Sequence, residues 1–166
     1  MNPLRNAIIL LTFVCTLIGY PPLNAAGADT ANPAIVENGD RAALELLNQF
    51  MAALQITDEE KRIKAILPLV HKSLLNSAGD DLNGTTKDYS YRKAARNIGL
   101  YQTPAKVTRV ATGRNGTAGF GETAEKGRTD RYFVAKRDGV DGVPAPLHVF
   151  FPKDGGKPKI LDMGSL

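Results

Sequence analysis

The chain has 166 residues, 43% hydrophobic and 23% charged, with one Cys, no Trp, two His and a formal net charge of +4. That balance belongs to a folded globular domain and excludes intrinsic disorder, a collagen-like repeat and a disulfide scaffold. A single uncharged apolar run, near the N-terminus, excludes a polytopic membrane protein.

Residues 1–28 follow the order of a secretory signal peptide. Met1–Asn6 carries the amino terminus and Arg5, and Ala7–Ile18 is an uncharged stretch of twelve residues. Gly19-Tyr20-Pro21-Pro22 then turns the chain, and Leu23-Asn24-Ala25-Ala26-Gly27-Ala28 offers a small-x-small cleavage site. A membrane-spanning helix needs roughly 20 apolar residues, so this run is too short to be retained as a span. Cleavage is expected after Ala28, with Ala26 as the alternative. Val14 precedes Cys15, where a lipidated cysteine requires a small residue, so no lipid anchor is expected. Removing 28 of 166 residues leaves 138 without any cysteine, and such a domain must be held by apolar burial. Disulfide-free export favours a bacterial periplasmic or secreted protein.

Residues 29–39 form a flexible leader, and residues 40–166 form one domain. Asp40 is placed to cap a helix over 41–55, whose Ala43, Leu46, Leu47, Phe50 and Leu54 recur at helical spacing. Thr57-Asp58-Glu59-Glu60 has the form of a capping box for a second helix with Ile63, Ile66, Leu67, Val70 and Leu74 inward. Pro68 either kinks that helix or starts another. A polar loop over 76–87 leads to a third helix from Asp88 to Gly99, with Gly99 as a left-handed terminator. Its inner face is Tyr91, Ala94, Ala95 and Ile98; Arg92, Lys93 and Arg96 lie outward.

After Thr103-Pro104 the pattern becomes extended. Strands are expected over 106–112, 117–125, 129–137, 147–151 and 158–163. Gly113-Arg114-Asn115-Gly116 is expected as a hairpin turn between the first two. The fold class is α+β, with about three N-terminal helices packed on a curved antiparallel sheet of four to five strands. This element order and hydrophobic pattern, over most of residues 40–166, resembles the nuclear transport factor 2-like superfamily. The resemblance implies a cone-shaped domain whose sheet curls around its helices to make a pocket. That superfamily spans isomerases, dehydratases, ligand-binding subunits and non-enzymatic interaction domains, so the fold alone does not assign a function.

The chemistry available is narrow. Without a mature cysteine there is no thiol nucleophile, Fe–S cluster or Cys-ligated zinc. His71 and His148 belong to no metal motif and read as structural. No serine lies in a Gly-x-Ser-x-Gly string, and the Gly-rich turns lack a phosphate-loop Lys-Ser/Thr. No catalytic residue, cofactor or metal is therefore expected. Charge is uneven: residues 29–86 balance at −4, and residues 87–138, with twelve bases and five acids, at +7. The candidate binding residues are Tyr91, Arg92, Arg96, Arg109, Arg131 and His148. The expected function is an exported, non-enzymatic domain that binds a small ligand or an anionic envelope partner, with a homodimer left open. No nucleic acid and no stable membrane span are expected. Two alternatives stand beside it. One is a small acid–base pocket enzyme, isomerase- or hydratase-like, using His148 with Tyr91 or Tyr132. The other is a structural or inhibitory module acting through the sheet's open face.

Overall fold

The computed structural model describes residues 40–166; the signal-peptide and leader readings fall on 1–39, outside the described residues. Helix α1, Arg41–Leu54, buries Ala43, Leu46, Leu47, Phe50, Met51 and Leu54, the stripe that 3.6-residue spacing places on one side. Its start differs from expectation. The Asp40 side chain makes no cap bond, and the Asp40 carbonyl instead accepts from the amides of Ala43 and Leu44 at 2.6 and 3.1 Å.

Helix α2, Glu59–Ile66, is capped by Asp58 rather than Thr57: Asp58 Oδ1 accepts from the Lys61 amide at 2.9 Å. The helix begins one residue later than a Thr57 cap requires, which puts the Asp58 carboxylate over the free amides. Pro68 has no N–H for the next helical bond, and the chain tightens into a 3₁₀ turn, Leu67–Leu69. Val70 then bridges Ile160 in parallel, and the His71 amide donates to the Ile160 carbonyl at 2.8 Å.

The third helical segment is composite. A π-helical turn, Thr86–Tyr91, runs into α3, Arg92–Asn97, and ends in a 3₁₀ turn, Ile98–Leu100. Tyr91, Ala94 and Ile98 are buried as expected. Gly99 lies within the 3₁₀ turn and is not left-handed, so the helix ends by tightening rather than by a glycine cap.

The sheet is antiparallel and open, with strands β1 (Val107–Ala111), β2 (Asn115–Ala118), β3 (Glu125–Val134), β4 (Ala145–Pro152) and β5 (Lys159–Asp162). The order is β1-β3-β4-β5, and β2 also pairs with β3. The hairpin expected at 113–116 does not form. β1 and β2 lie end to end along one edge of β3, with Ala111 opposite Arg131 and Asn115 opposite Arg128. The reason is a contact from another strand: the Gly113 amide donates to Asp130 Oδ1 at 2.9 Å, stitching the jog to β3. A Cβ at Gly113 would collide with the Thr129 carbonyl oxygen, so only glycine passes there. The chain reverses instead over 119–124.

Alternation along the strands separates two faces. Tyr132, Val134, Leu147, Val149 and Ile160 join Leu47, Phe50, Met51, Leu54, Ile66 and Tyr91 in one core under the helices. The α+β class, with three helices and a five-stranded antiparallel sheet among the described residues, is as expected. Gly127 lies where a Cβ would meet the Phe151 carbonyl and the Phe150 ring, whereas Gly116 has open space. Gly127→Ala should therefore cost about 2 kcal/mol and Gly116→Ala within about 0.5 kcal/mol, read from urea unfolding midpoints.

Candidate functional site

Three of the six candidate binding residues meet on the sheet face opposite the helices. Arg109 pairs with Phe133, Arg131 with both Ala111 and His148, and His148 with Asp162, so their side chains share one face. A bulge between Val107 and Arg109 inserts Thr108, whose hydroxyl bonds the Phe133 carbonyl at 3.2 Å. The extra residue rotates Arg109 onto the open face. Its guanidinium lies 3.9 Å from the centroid of the Phe133 ring, a cation–π stack. His148 Nδ1 stands 3.9 Å from Asp162 Oδ2, and Asp162 Oδ1 accepts from the Gly164 amide at 2.8 Å. Arg131 is exposed between them.

Arg92 and Arg96 lie elsewhere, on the outer side of α3. With Lys93, Tyr89, Ser90, Asp88 and Gly164 they line a groove of about 410 Å³. Arg92 reaches Asp88 at 3.7 Å, and Lys93 Nζ donates to the Gly164 carbonyl at 2.6 Å. The turn after β5 thus touches both clusters, through Asp162 on the sheet and Gly164 at α3.

Tyr91 is 1% exposed, and its hydroxyl accepts from Arg62 Nε at 2.8 Å. Burial pushes the phenol above its ordinary value, against the pull of Arg62. Tyr132 is raised further, again by burial first, with the Asp130 charge adding to it. Tyr132 follows Arg131 in the strand and so points into the core. His148 therefore does not meet Tyr91 or Tyr132, and the acid–base pair of the enzyme reading is not assembled.

His71, expected as a structural histidine, has surroundings that the sequence did not show, because they come from distant strands. It is 1% exposed and 5.0 Å, edge on, from the Phe150 ring. Nδ1 sits 2.8 Å from Ser73 Oγ and accepts from the Ser73 amide at 3.2 Å, which leaves the ring proton on Nε2. Nε2 faces Glu125 Oε2 at 3.4 Å, but the alignment is too poor for a hydrogen bond. Lys72 Nζ stands 3.9 Å from the same oxygen. Around them Asp154, Lys157 and Lys159 line a groove of about 390 Å³. Burial holds the His71 imidazole below its ordinary value; Lys72 and Lys159 push the same way, and Glu125 opposes them.

Among the described residues, no three His, Cys, Asp or Glu side chains converge to hold a metal, and no helix is long and apolar enough to cross a membrane. No known protein family, characterised protein or solved structure matches the chain.

The His71 environment sets a pH dependence. With its folded-state pKa below the unfolded value of about 6.5, the unfolded chain takes up a proton first as pH falls. Stability from this group is complete above about pH 6.5 and is lost as pH drops toward the folded pKa. Urea midpoints should fall as pH drops below about 6.5, and His71→Gln should flatten that decline.

Proposed function

We propose that this chain is an exported, non-enzymatic α+β domain, similar in build to nuclear transport factor 2-like proteins, that binds an anionic envelope component on its open sheet face. The observation that carries the reading is the row Arg109, Arg131 and His148, with Arg109 stacked on Phe133 at 3.9 Å. A stacked guanidinium has already lost much of its rotamer freedom and still presents planar donors to carboxylate, phosphate or sulfate. Less entropy is then lost on binding. Arg109 and Arg131 belong to the segment that balances at +7, which also raises the encounter rate with polyanions.

An open face suits an extended polyanion better than a small molecule, which binds where most of its surface is enclosed. Like charges oppose self-association across the same face. Export rests on the order of charge, apolar run and cleavage site in residues 1–28.

Dextran sulfate serves as a polyanion probe. Arg109→Glu/Arg131→Glu should weaken its binding about tenfold or more at low salt, the difference vanishing near about 0.5 M salt. Arg92→Glu/Arg96→Glu, on α3 rather than on the sheet, should change it less. Equal binding by the sheet variant and the wild type, or a loss confined to the α3 variant, overturns the reading.

A further inference from the structure

The turn between β2 and β3 carries Phe120, 92% exposed, whereas Phe50 and Phe150 are fully buried. A single exposed aromatic is ordinary; here the backbone is built to hold it out. The Phe120 amide donates to Thr123 Oγ1 at 3.1 Å, and the Phe120 carbonyl accepts from the Thr123 hydroxyl at 2.8 Å and its amide at 3.0 Å. Gly119 and Gly121, at φ +74° and +55°, supply left-handed backbone on either side. The ring is displayed by a closed, hydrogen-bonded turn.

Cations stand behind this tip, Lys126 near its base and Arg114 at the far end of β2. The Lys153 amide donates to the Lys126 carbonyl at 2.9 Å, which sets the two lysines side by side. Both line a shallow groove with Asn115, Gly116 and Thr117, next to the exposed Arg114. Among the described residues, Arg114, Lys126 and Lys153 enter no ion pair. Of the nearby acids, Glu122 in the turn and Asp154 beside Lys153 are exposed, so the three cations outnumber them; Glu125 faces Lys72 at 3.9 Å, and Asp130 is held by Arg128.

We infer that the Phe120 turn is an interfacial anchor that docks this domain on an anionic lipid surface. The ring enters the boundary between headgroups and acyl chains, while Arg114, Lys126 and Lys153 meet lipid phosphates. The charge complementarity of these free cations selects a lipid surface over an apolar protein pocket, which would leave them without partners. The inference goes beyond the sheet-face reading and uses none of its residues.

The chain has no tryptophan, so Phe120→Trp creates a sole reporter in the full-length protein. Val143→Trp, 80% exposed in the β3–β4 connection at the opposite end of the sheet, is its control. With vesicles of phosphatidylglycerol and phosphatidylcholine, emission from position 120 should shift to the blue and be quenched by acyl-brominated lipid. Emission from position 143 should not. Lys126→Glu/Lys153→Glu in the Phe120→Trp background should weaken partitioning about tenfold or more, as should pure phosphatidylcholine. The inference fails if position 120 does not shift, or if both positions shift equally, as when another segment carries the protein to the bilayer. It also fails if the shift grows with protein concentration without vesicles, since the tip then contacts protein.

Discussion

The carboxylate of Asp130 holds the first edge of the sheet together. It sits on β3 at 3% exposure, gripped by Arg128 Nε at 3.0 and 3.1 Å and by the Gly113 amide at 2.9 Å. A buried charge persists only when its lone pairs are met, and here two of the partners are a guanidinium fork and a backbone amide from the neighbouring edge. The amide bond keeps the jog at 112–114 in line, so that β1 and β2 run as one interrupted strand against β3. Both proposed surfaces depend on that continuity. β1 presents Arg109 to the open face, and β2 leads directly into the turn that carries Phe120.

The two sheet faces do different work because strand alternation gives adjacent residues opposite surroundings. Arg131 and Tyr132 are neighbours in sequence, yet one meets solvent beside His148 and the other is sealed under the helices. The helix face carries the apolar core. The other face is cationic and aromatic, with Arg109 immobilised on Phe133. At one end of the sheet His71 forms a third environment. Its imidazole is kept neutral by burial, and the carboxylate that faces it, Glu125, is shared with Lys72. There, acid lowers stability, because a proton on His71 is paid for in desolvation.

Much of the architecture was legible locally. The apolar stripe of α1 and the inward Tyr91, Ala94 and Ile98 follow from helical spacing, and four of the five strands lie close to their expected positions. Each error has a physical cause. Gly113-Arg114-Asn115-Gly116 has the composition of a tight turn, but a carboxylate on β3, remote in sequence, captures its first amide and straightens it. Asp58 displaced Thr57 as the cap because both offer an oxygen and only the exact helix start chooses between them. His71 was read as structural, but its surroundings were not foreseen, since Ser73 is local but Glu125 and Phe150 arrive from other strands. The binding residues were named for their charge; nothing in their order indicated that Arg109, Arg131 and His148 would share a face while Arg92 and Arg96 would not.

The sequence by itself determined the class of fold, the helical stripes, the basic middle of the chain and the narrow set of chemistries available. These depend on composition and on periods of two and 3.6 residues, which act over short range. Tertiary structure alone decided which cations stand together, where the sheet reverses, and that His71 and Asp130 are buried. Those outcomes depend on strand register and on hydrogen bonds between segments far apart in the chain, and no local pattern encodes them.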